Sequence, residues 1–242
     1  DPRRGRARAV EEAHGRGRVR ARCVDVVIMH TSNHDGTCSV QPGTGVRKMH
    51  STRRDAFQNV NSQPLAYIDL RKGEPEIIIQ DSYQEILDNA NREICQMPTM
   101  FSPEVRIAQF IAGPWLHEQD IESVISNGPQ AIVIHGTGLG HLPIDDPRKD
   151  APENTKIWRV LTRCVNRNIP VIVTTQCING PVDMNVYSKG RKQRDMGLLG
   201  HGTTTSPETL VAKVHWLLSN NKSVADSISV NLCGENNLTL ME

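Results

Sequence analysis

Residues 131–143 have the sequence AIVIHGTGLGHLP, in which four apolar residues run directly into a glycine-rich segment. The apolar run predicts a strand, and the glycines let backbone amides approach a ligand closely at the carboxyl end of a parallel sheet. The G-x-G-x-G spacing differs from the G-x-G-x-x-G that leads into a helix in dinucleotide-binding folds, which argues against a nucleotide site. A tight structural turn and a ligand-binding loop remain equally good interpretations.

Strands and helices alternate on both sides of this segment. Strands are predicted at residues 105–110 and 171–173, and helices at residues 118–127 and 153–167. A further helix begins after Ser206 as its N-cap, with a proline in the first helical position, and runs to about residue 218. This alternation is typical of a small α/β domain with a parallel sheet.

The preceding region predicts strands and a connecting segment. Residues 24–29, of which all but Asp25 are apolar, predict a buried strand. Residues 64–68 and 77–79 predict a hairpin, with Lys72-Gly73 in the turn. Residues 81–103 are charged and contain two prolines, which predicts a linker holding one short amphipathic helix.

Residues 1–23 form a basic leader that contains eight arginines. A solvated tail and an RNA-binding arm are both possible, although the leader has no aromatic residue to stack on bases. We favour a third interpretation, in which a truncated or misread reading frame encodes a leader that is not native-like.

Composition narrows the class of protein. With 242 residues, 37% hydrophobic content and a net charge of +1, the chain is expected to be globular and to carry no extended basic surface for nucleic acid. It has no apolar run of membrane-spanning length and no apolar stretch of signal-peptide type, so we expect a cytoplasmic protein without membrane contact. Its six cysteines lack a CxxC pair, which favours reduced thiols over a zinc site or a disulfide framework.

Two clusters could carry binding chemistry. His30 and His34 have a metal-like spacing, but no third ligand is positioned nearby, so we expect polar loop histidines and no metal. The second cluster is basic and consists of Lys189, Arg191, Lys192 and Arg194. These side chains could bind tRNA phosphates or form a solvated face, and the solvated face is the commoner outcome.

Residues 47–55, RKMHSTRRD, are too charged for a core. Lys48 could act as an activated base here, because burial and neighbouring cations lower the pKa of a lysine. A surface cluster of salt bridges is the more ordinary interpretation.

Three segments, taken in order, resemble one family. They are residues 45–57, residues 131–143 and residues 170–190, the last containing VTTQCINGPVDMNVYSKGR. They are similar to asparaginase-like glutamine amidohydrolases, and the sequence motifs RRDAF and DMNVYSKGR resemble those of the D subunit of archaeal glutamyl-tRNA(Gln) amidotransferases. The resemblance covers about residues 24–235. It implies a two-domain asparaginase-like α/β fold, with an incomplete N-terminal α/β domain at residues 24–80 and a small C-terminal α/β domain with a parallel sheet at residues 104–242.

The resemblance also implies a chemistry. In the family a threonine attacks the side-chain amide of L-glutamine, and the released ammonia passes to the E subunit, which uses ATP and Mg to convert Glu-tRNA(Gln) to Gln-tRNA(Gln). Lys48 matches the catalytic lysine, which accepts or relays the nucleophile's proton. His141 matches a polar residue that binds substrate across a homodimer contact. No cofactor is implied for this chain itself.

The sequence departs from the family in one respect. Its TGGT-like and TDT motifs, which carry the threonines and an aspartate, do not occur in residues 1–242. We therefore expect the chain to be inactive alone. The alternatives are an L-asparaginase and a non-catalytic fragment that docks a partner.

Overall fold

The structure is a computed structural model that describes residues 26–81, 83 and 101–237. The chain divides into two compact units. Among the described residues, the first comprises 26–81 and 83 with Leu232–Glu235, and the second comprises 101–231 with 236–237. None of the helices in the described ranges is both long and apolar enough to cross a membrane.

The first unit contains two antiparallel sheets. Its strands are β1 (Val26–His30), β2 (Thr37–Pro42), β3 (Val46–Lys48), β4 (Phe57–Asn59), β5 (Ala66–Asp69) and β6 (Glu76–Ile79). Four of them form a sheet in the order β1-β2-β5-β6, and β3 pairs with β4. A 3₁₀ turn at Gly43–Gly45 joins β2 to β3.

The predicted hairpin of the first unit is confirmed, because β5 and β6 pair antiparallel around a turn in which Gly73 has φ +87°. A strand is present in the described part of the segment predicted at residues 24–29, but the prediction that it is buried is wrong. In the described part of that strand, β1 lies at the edge of its sheet, where Val26 is exposed and the other side chains are half-buried. An edge strand packs against a neighbour on one side only, so it buries less surface.

Strand β2 was not predicted, although it lies inside the sheet between β1 and β5. Two polar side chains of β2, Ser39 and Gln41, are buried, and the Gln41 amide donates a hydrogen bond of 2.7 Å to the Ser39 hydroxyl. Because these polar side chains bond to each other, they can be buried. Buried positions of β2 are therefore polar as well as apolar, and the apolar/polar alternation that predicts a strand is lost. The basic leader and most of the predicted linker helix lie outside the described residues; Asp81 and Tyr83 are helical.

The second unit contains the predicted alternation of strands and helices around a parallel sheet. Its elements are β7 (Ile107–Ile111), α1 (Glu118–Ile125), β8 (Ala131–Gly136), α2 (Pro152–Asn166), β9 (Val171–Thr175), α3 (Ser188–Asp195), α4 (Pro207–Ser219) and α5 (Val224–Ser227). The three strands pair in parallel in the order β7-β8-β9. Ser206 caps α4 as predicted, since its hydroxyl accepts a hydrogen bond of 3.3 Å from the backbone N–H of Thr209.

The core of the second unit lies between β8, β9 and helix α2. Ile132 and Ile134 of β8, Val173 of β9, and Val160 and Leu161 of α2 have no exposed surface. Each such side chain contributes roughly 1.5–3 kcal/mol when it is removed from water. This burial holds the carboxyl ends of the strands, where the candidate site lies, in one place.

A carboxylate at the end of β5 accepts several hydrogen bonds from one arginine. The Arg71 guanidinium binds both carboxylate oxygens of Asp69, at 2.6 Å from Nη2 and 3.0 Å from Nε, and the Arg71 N–H adds a bond of 2.9 Å. These bonds from Arg71 hold the pKa of Asp69 well below its usual range. A carboxylate whose pKa is lower in the folded state stabilises the fold above its unfolded pKa of about 3.9.

We therefore expect Asp69→Asn to lower the unfolding free energy at pH 7, and we expect the difference from the unmodified chain to shrink as the pH falls below about 4. Urea unfolding between pH 7 and pH 3 measures this difference. The exposed Asp120→Asn variant serves as control. A gap between Asp69→Asn and the unmodified chain that stays constant over this pH range contradicts the prediction.

Candidate functional site

The loop after β8 is a closed turn at the carboxyl edge of the parallel sheet. Thr137 and His141 exchange two backbone hydrogen bonds, of 2.9 Å and 2.8 Å. Gly138 and Gly140 have φ of +52° and +94°, in the left-handed region that favours glycine. A Cβ atom on Gly140 would lie 2.8 Å from a methyl carbon of Val182, so only glycine fits there.

A buried amide holds this loop against helix α3. The Gln193 side chain, which has no exposed surface, donates a hydrogen bond of 2.8 Å to the carbonyl of Gly140 and accepts one of 2.8 Å from the N–H of Leu142. On the other side, the Thr175 hydroxyl donates to the carbonyl of Gly138, and the Asp183 N–H donates to the carbonyl of Leu139 at 3.1 Å. The glycine-rich segment is therefore a fixed structural turn.

His141 ends this turn in an unusual environment. Its Nε2 atom is buried and has no hydrogen-bond partner within the part of the chain that the structure describes. The ring packs edge-on against Tyr187, with the two centroids 5.3 Å apart. Burial lowers the pKa of His141, and the nearby Lys189 ammonium lowers it further. A neutral imidazole with an unused ring nitrogen can donate or accept one hydrogen bond to a ligand amide.

Lys48 lies at the end of β3 in the first unit and is exposed. It pairs across the ladder with Phe57, and its ammonium nitrogen is 6.0 Å from the centre of that ring. None of the ion pairs among the described residues includes Lys48. Lys48 therefore faces solvent in the described part of the first unit, and its catalytic role stays a prediction.

The arginines beside Lys48 form the surface salt bridges that the sequence suggested. Arg53 binds the carboxylate of Asp55 through two bonds of 2.8 Å and 2.7 Å, and Arg54 pairs with Asp35. These ion pairs connect residues close to the β3-β4 ladder. Exposed pairs of this kind add little stability, about 0–1 kcal/mol each.

The four cations predicted as a possible tRNA contact lie on α3, a helix that the sequence did not reveal. Three of them bind within the chain: Lys192 contacts the Asp145 carboxylate at 2.6 Å, Arg194 the Asn185 side-chain oxygen at 2.7 Å, and Arg191 the Asn185 carbonyl at 2.7 Å. Lys189 is half-buried near His141. Contact with tRNA stays a prediction, with three of the four cations already engaged.

The two histidines with metal-like spacing do not converge on a common point. His30 lies with one ring nitrogen 3.8 Å from the Cys38 sulfur and the other 3.7 Å from an Asp35 oxygen, whereas His34 is exposed in the following loop. Across residues 26–81, 83 and 101–237, no group of three His, Cys, Asp or Glu residues is placed to hold a metal ion.

The second unit matches a known sequence family. The profile of the glutaminase/asparaginase C-terminal domain covers residues 105–228, about half of the chain, including the parallel sheet and the loop that Gln193 holds. The chain belongs to this family.

Relatives and solved structures extend the similarity beyond that domain. The chain is 34% identical to the D subunit of the glutamyl-tRNA(Gln) amidotransferase of Methanosarcina mazei over 215 residues, which is 88% of this chain and 46% of that protein. It is also 34% identical to the D subunit of the Pyrococcus abyssi enzyme over 201 residues, which is 83% of this chain and 41% of that protein. The chain thus spans less than half the length of these curated relatives.

Two solved structures share the fold. The L-asparaginase of Thermococcus kodakarensis superposes with a TM-score of 0.62 at 24% identity, covering 82% of this chain and 55% of that one. The L-asparaginase I of Vibrio cholerae superposes with a TM-score of 0.59 at 24% identity, covering 83% and 55% respectively. The predicted asparaginase-like α/β fold is confirmed.

We expect Gln193→Leu to destabilise the second unit by about 2–4 kcal/mol, because it leaves the carbonyl of Gly140 and the N–H of Leu142 buried without partners. Chemical unfolding followed by circular dichroism measures the loss. Gln119→Leu, on the exposed face of α1, is the matched control and should change stability by less than about 0.5 kcal/mol. Equal effects of the two substitutions would show that the Gln193 amide does not hold the loop.

We expect His141 to titrate below the ordinary histidine pKa of about 6.5. Lys189→Met should raise that pKa without restoring the ordinary value, because burial is the larger cause of the shift. Titration of the imidazole protons by NMR measures both. Lys222→Met, which removes an ammonium beside Trp216, should leave the His141 pKa unchanged. A His141 pKa that does not respond to Lys189→Met rules out the electrostatic contribution.

Proposed function

We propose that this chain is part of the glutaminase subunit of a tRNA-dependent amidotransferase. In this proposal it releases ammonia from L-glutamine, and the E subunit uses ATP and Mg to convert Glu-tRNA(Gln) to Gln-tRNA(Gln). The observation that carries the proposal is the similarity to D-subunit proteins, which extends over 83–88% of this chain. The asparaginases support only the fold, because their identity to this chain is 24%.

We propose that Lys48 serves as the base or proton relay. A lysine performs this role in its neutral form, which burial and nearby cations favour. Since Lys48 is exposed here, the proposal requires a completing segment that buries it and brings the threonine nucleophile. The threonine oxygen would bond to the amide carbon of glutamine as its proton passes to Lys48. The carbon–nitrogen bond would then break as Lys48 returns the proton to the leaving nitrogen, which releases ammonia and leaves an ester-linked acyl-enzyme for water to hydrolyse to glutamate.

We propose that His141 contacts the substrate through its unused Nε2 atom. The neutral imidazole favoured by burial suits an amide or carboxylate ligand that needs a directional hydrogen bond. The contact would form at a homodimer interface, as the resemblance implies. Any tRNA contact by α3 would rest mainly on Lys189, because its three neighbouring cations already bind within the chain.

A non-catalytic docking fragment is the second candidate. The exposure of Lys48 favours it, because a general base must lie against the group whose proton it accepts, and Lys48 faces solvent. A stand-alone L-asparaginase is less well supported, since the similarity to the D-subunit relatives is higher than that to the solved asparaginases.

We expect the chain alone to hydrolyse neither L-glutamine nor L-asparagine. Fusion to the TGGT- and TDT-bearing segment of a D-subunit relative should produce ammonia release from L-glutamine. Addition of the E subunit, ATP and Glu-tRNA(Gln) should raise that release further. Ammonia release and Gln-tRNA(Gln) formation are measured together, so a glutaminase that does not couple to tRNA is recognised.

In the fused protein, Lys48→Ala should lower kcat by about 10²- to 10⁴-fold, the usual contribution of a general base. The control is Lys72→Ala, which removes an exposed lysine paired with Glu76 and should leave kcat unchanged. Full activity of Lys48→Ala would exclude the lysine as base. An inactive fusion protein that still copurifies with the E subunit would favour the docking fragment.

A further inference from the structure

We infer that a cleft on the second unit, remote in sequence from the lysine-bearing ladder, binds a small organic cation with an alkyl stem, such as an alkylguanidinium or alkylammonium group. The cleft has a volume of about 420 Å³. It is lined by Ile144, Asp145, Trp158, Lys192, Asp195 and Met196. Pockets that bind small molecules commonly have volumes of about 300–1,000 Å³.

Helix α3 and the C-cap residue that follows it provide half of the lining. Asp195 and the C-cap residue Met196 come three and four positions after Lys192, so each is a neighbour of Lys192 along the helix surface. Gln193 on the same helix is buried against the loop after β8. The hydrogen bonds that hold the loop thus also fix the orientation of the cleft-lining face.

The charge of the cleft favours a cation. The ammonium of Lys192 and the carboxylate of Asp145 neutralise each other at 2.6 Å. Asp195 forms no ion pair with any described residue, so its carboxylate leaves the lining with one net negative charge. Asp195 is also the last residue of α3, where the helix dipole adds partial negative charge.

The apolar lining favours a cation with a hydrocarbon stem. Trp158 is half-buried on α2, where it packs against the core and also lines the cleft. An indole ring attracts cations through its π electrons and prefers the weakly hydrated guanidinium group. Ile144 and Met196 offer an aliphatic side chain and a thioether to an alkyl stem. An anion would be repelled by Asp195, and a neutral donor would gain a weaker hydrogen bond from it than a cation does.

The test uses n-butylguanidinium chloride, titrated into the full chain by isothermal calorimetry at low salt. We expect saturable binding with a Kd of about 1 mM, typical of a ligand with so few heavy atoms. Asp195→Asn should weaken binding by about three- to fivefold, as the loss of one exposed ion pair predicts. Lys192→Met should strengthen it by a similar factor, because it frees the Asp145 carboxylate.

Two controls separate this site from general charge effects. N-butylurea has the same shape without the charge and should bind several-fold more weakly, and Asp226→Asn on α5 should leave the affinity for n-butylguanidinium unchanged. Thermal melting of each variant confirms that it is folded. The proposal is overturned if N-butylurea binds as well as the cation, if Asp195→Asn has no effect, or if Lys192→Met weakens binding.

A second pair of ligands distinguishes the source of the cation. Spermidine represents a free alkylammonium ligand, and an acetylated Gly-Arg-Gly amide represents an arginine side chain of a partner protein. Tighter binding of spermidine assigns the cleft to a free small molecule, and tighter binding of the peptide assigns it to a protein side chain. If spermidine, the peptide and n-butylguanidinium all fail to bind, the proposal is overturned. The proposed glutaminase function is unaffected by that result.

Discussion

The second unit depends on one buried side-chain amide. Gln193 offers its donor to the Gly140 carbonyl and its acceptor to the Leu142 N–H, each at 2.8 Å. Both backbone groups belong to a loop that leaves the sheet and makes few ladder bonds of its own, so without Gln193 they would be buried and unpaired. The same amide docks α3, a helix too polar to be held by an apolar face. The position of His141 and the face that lines the cation cleft both follow from this contact.

The two units differ in how far their candidate residues are prepared for chemistry. His141 is set in a rigid turn, has a lowered pKa and keeps a buried ring nitrogen available. Lys48 is exposed at the end of a three-residue strand beside arginines that pair with other groups. His141 is thus held in place within the second unit, whereas Lys48 lies open to solvent.

Sequence patterns predicted an element correctly where one physical effect, such as burial of both faces or helix capping, decides its structure. The strands at Ala131–Gly136 and Val171–Thr175 are apolar because both faces are covered, and the end of α1 and the start of α4 follow from Gly128 and from Ser206 with Pro207. They failed where polar residues are buried in pairs, as in β2. They also failed for α3, where Gly190 packs so closely on Met184 that a Cβ atom would lie 2.7 Å from its carbonyl oxygen. Such close contacts have no hydrophobic period.

The sequence by itself determined the α/β class of the second unit, the order of its strands and of helices α1, α2 and α4, the identity of Lys48 and His141 as candidates, and the resemblance to a family of amidohydrolases. These depend on local periodicity and on ordered motifs, both of which can be recognised along the chain. Only the tertiary structure decided that the glycine-rich segment is a fixed turn, that Lys48 is exposed, and that Gln193 supports the site. Burial and hydrogen-bond partners arise between residues far apart in the chain, such as Gly140 and Gln193, and no local pattern encodes which of them meet.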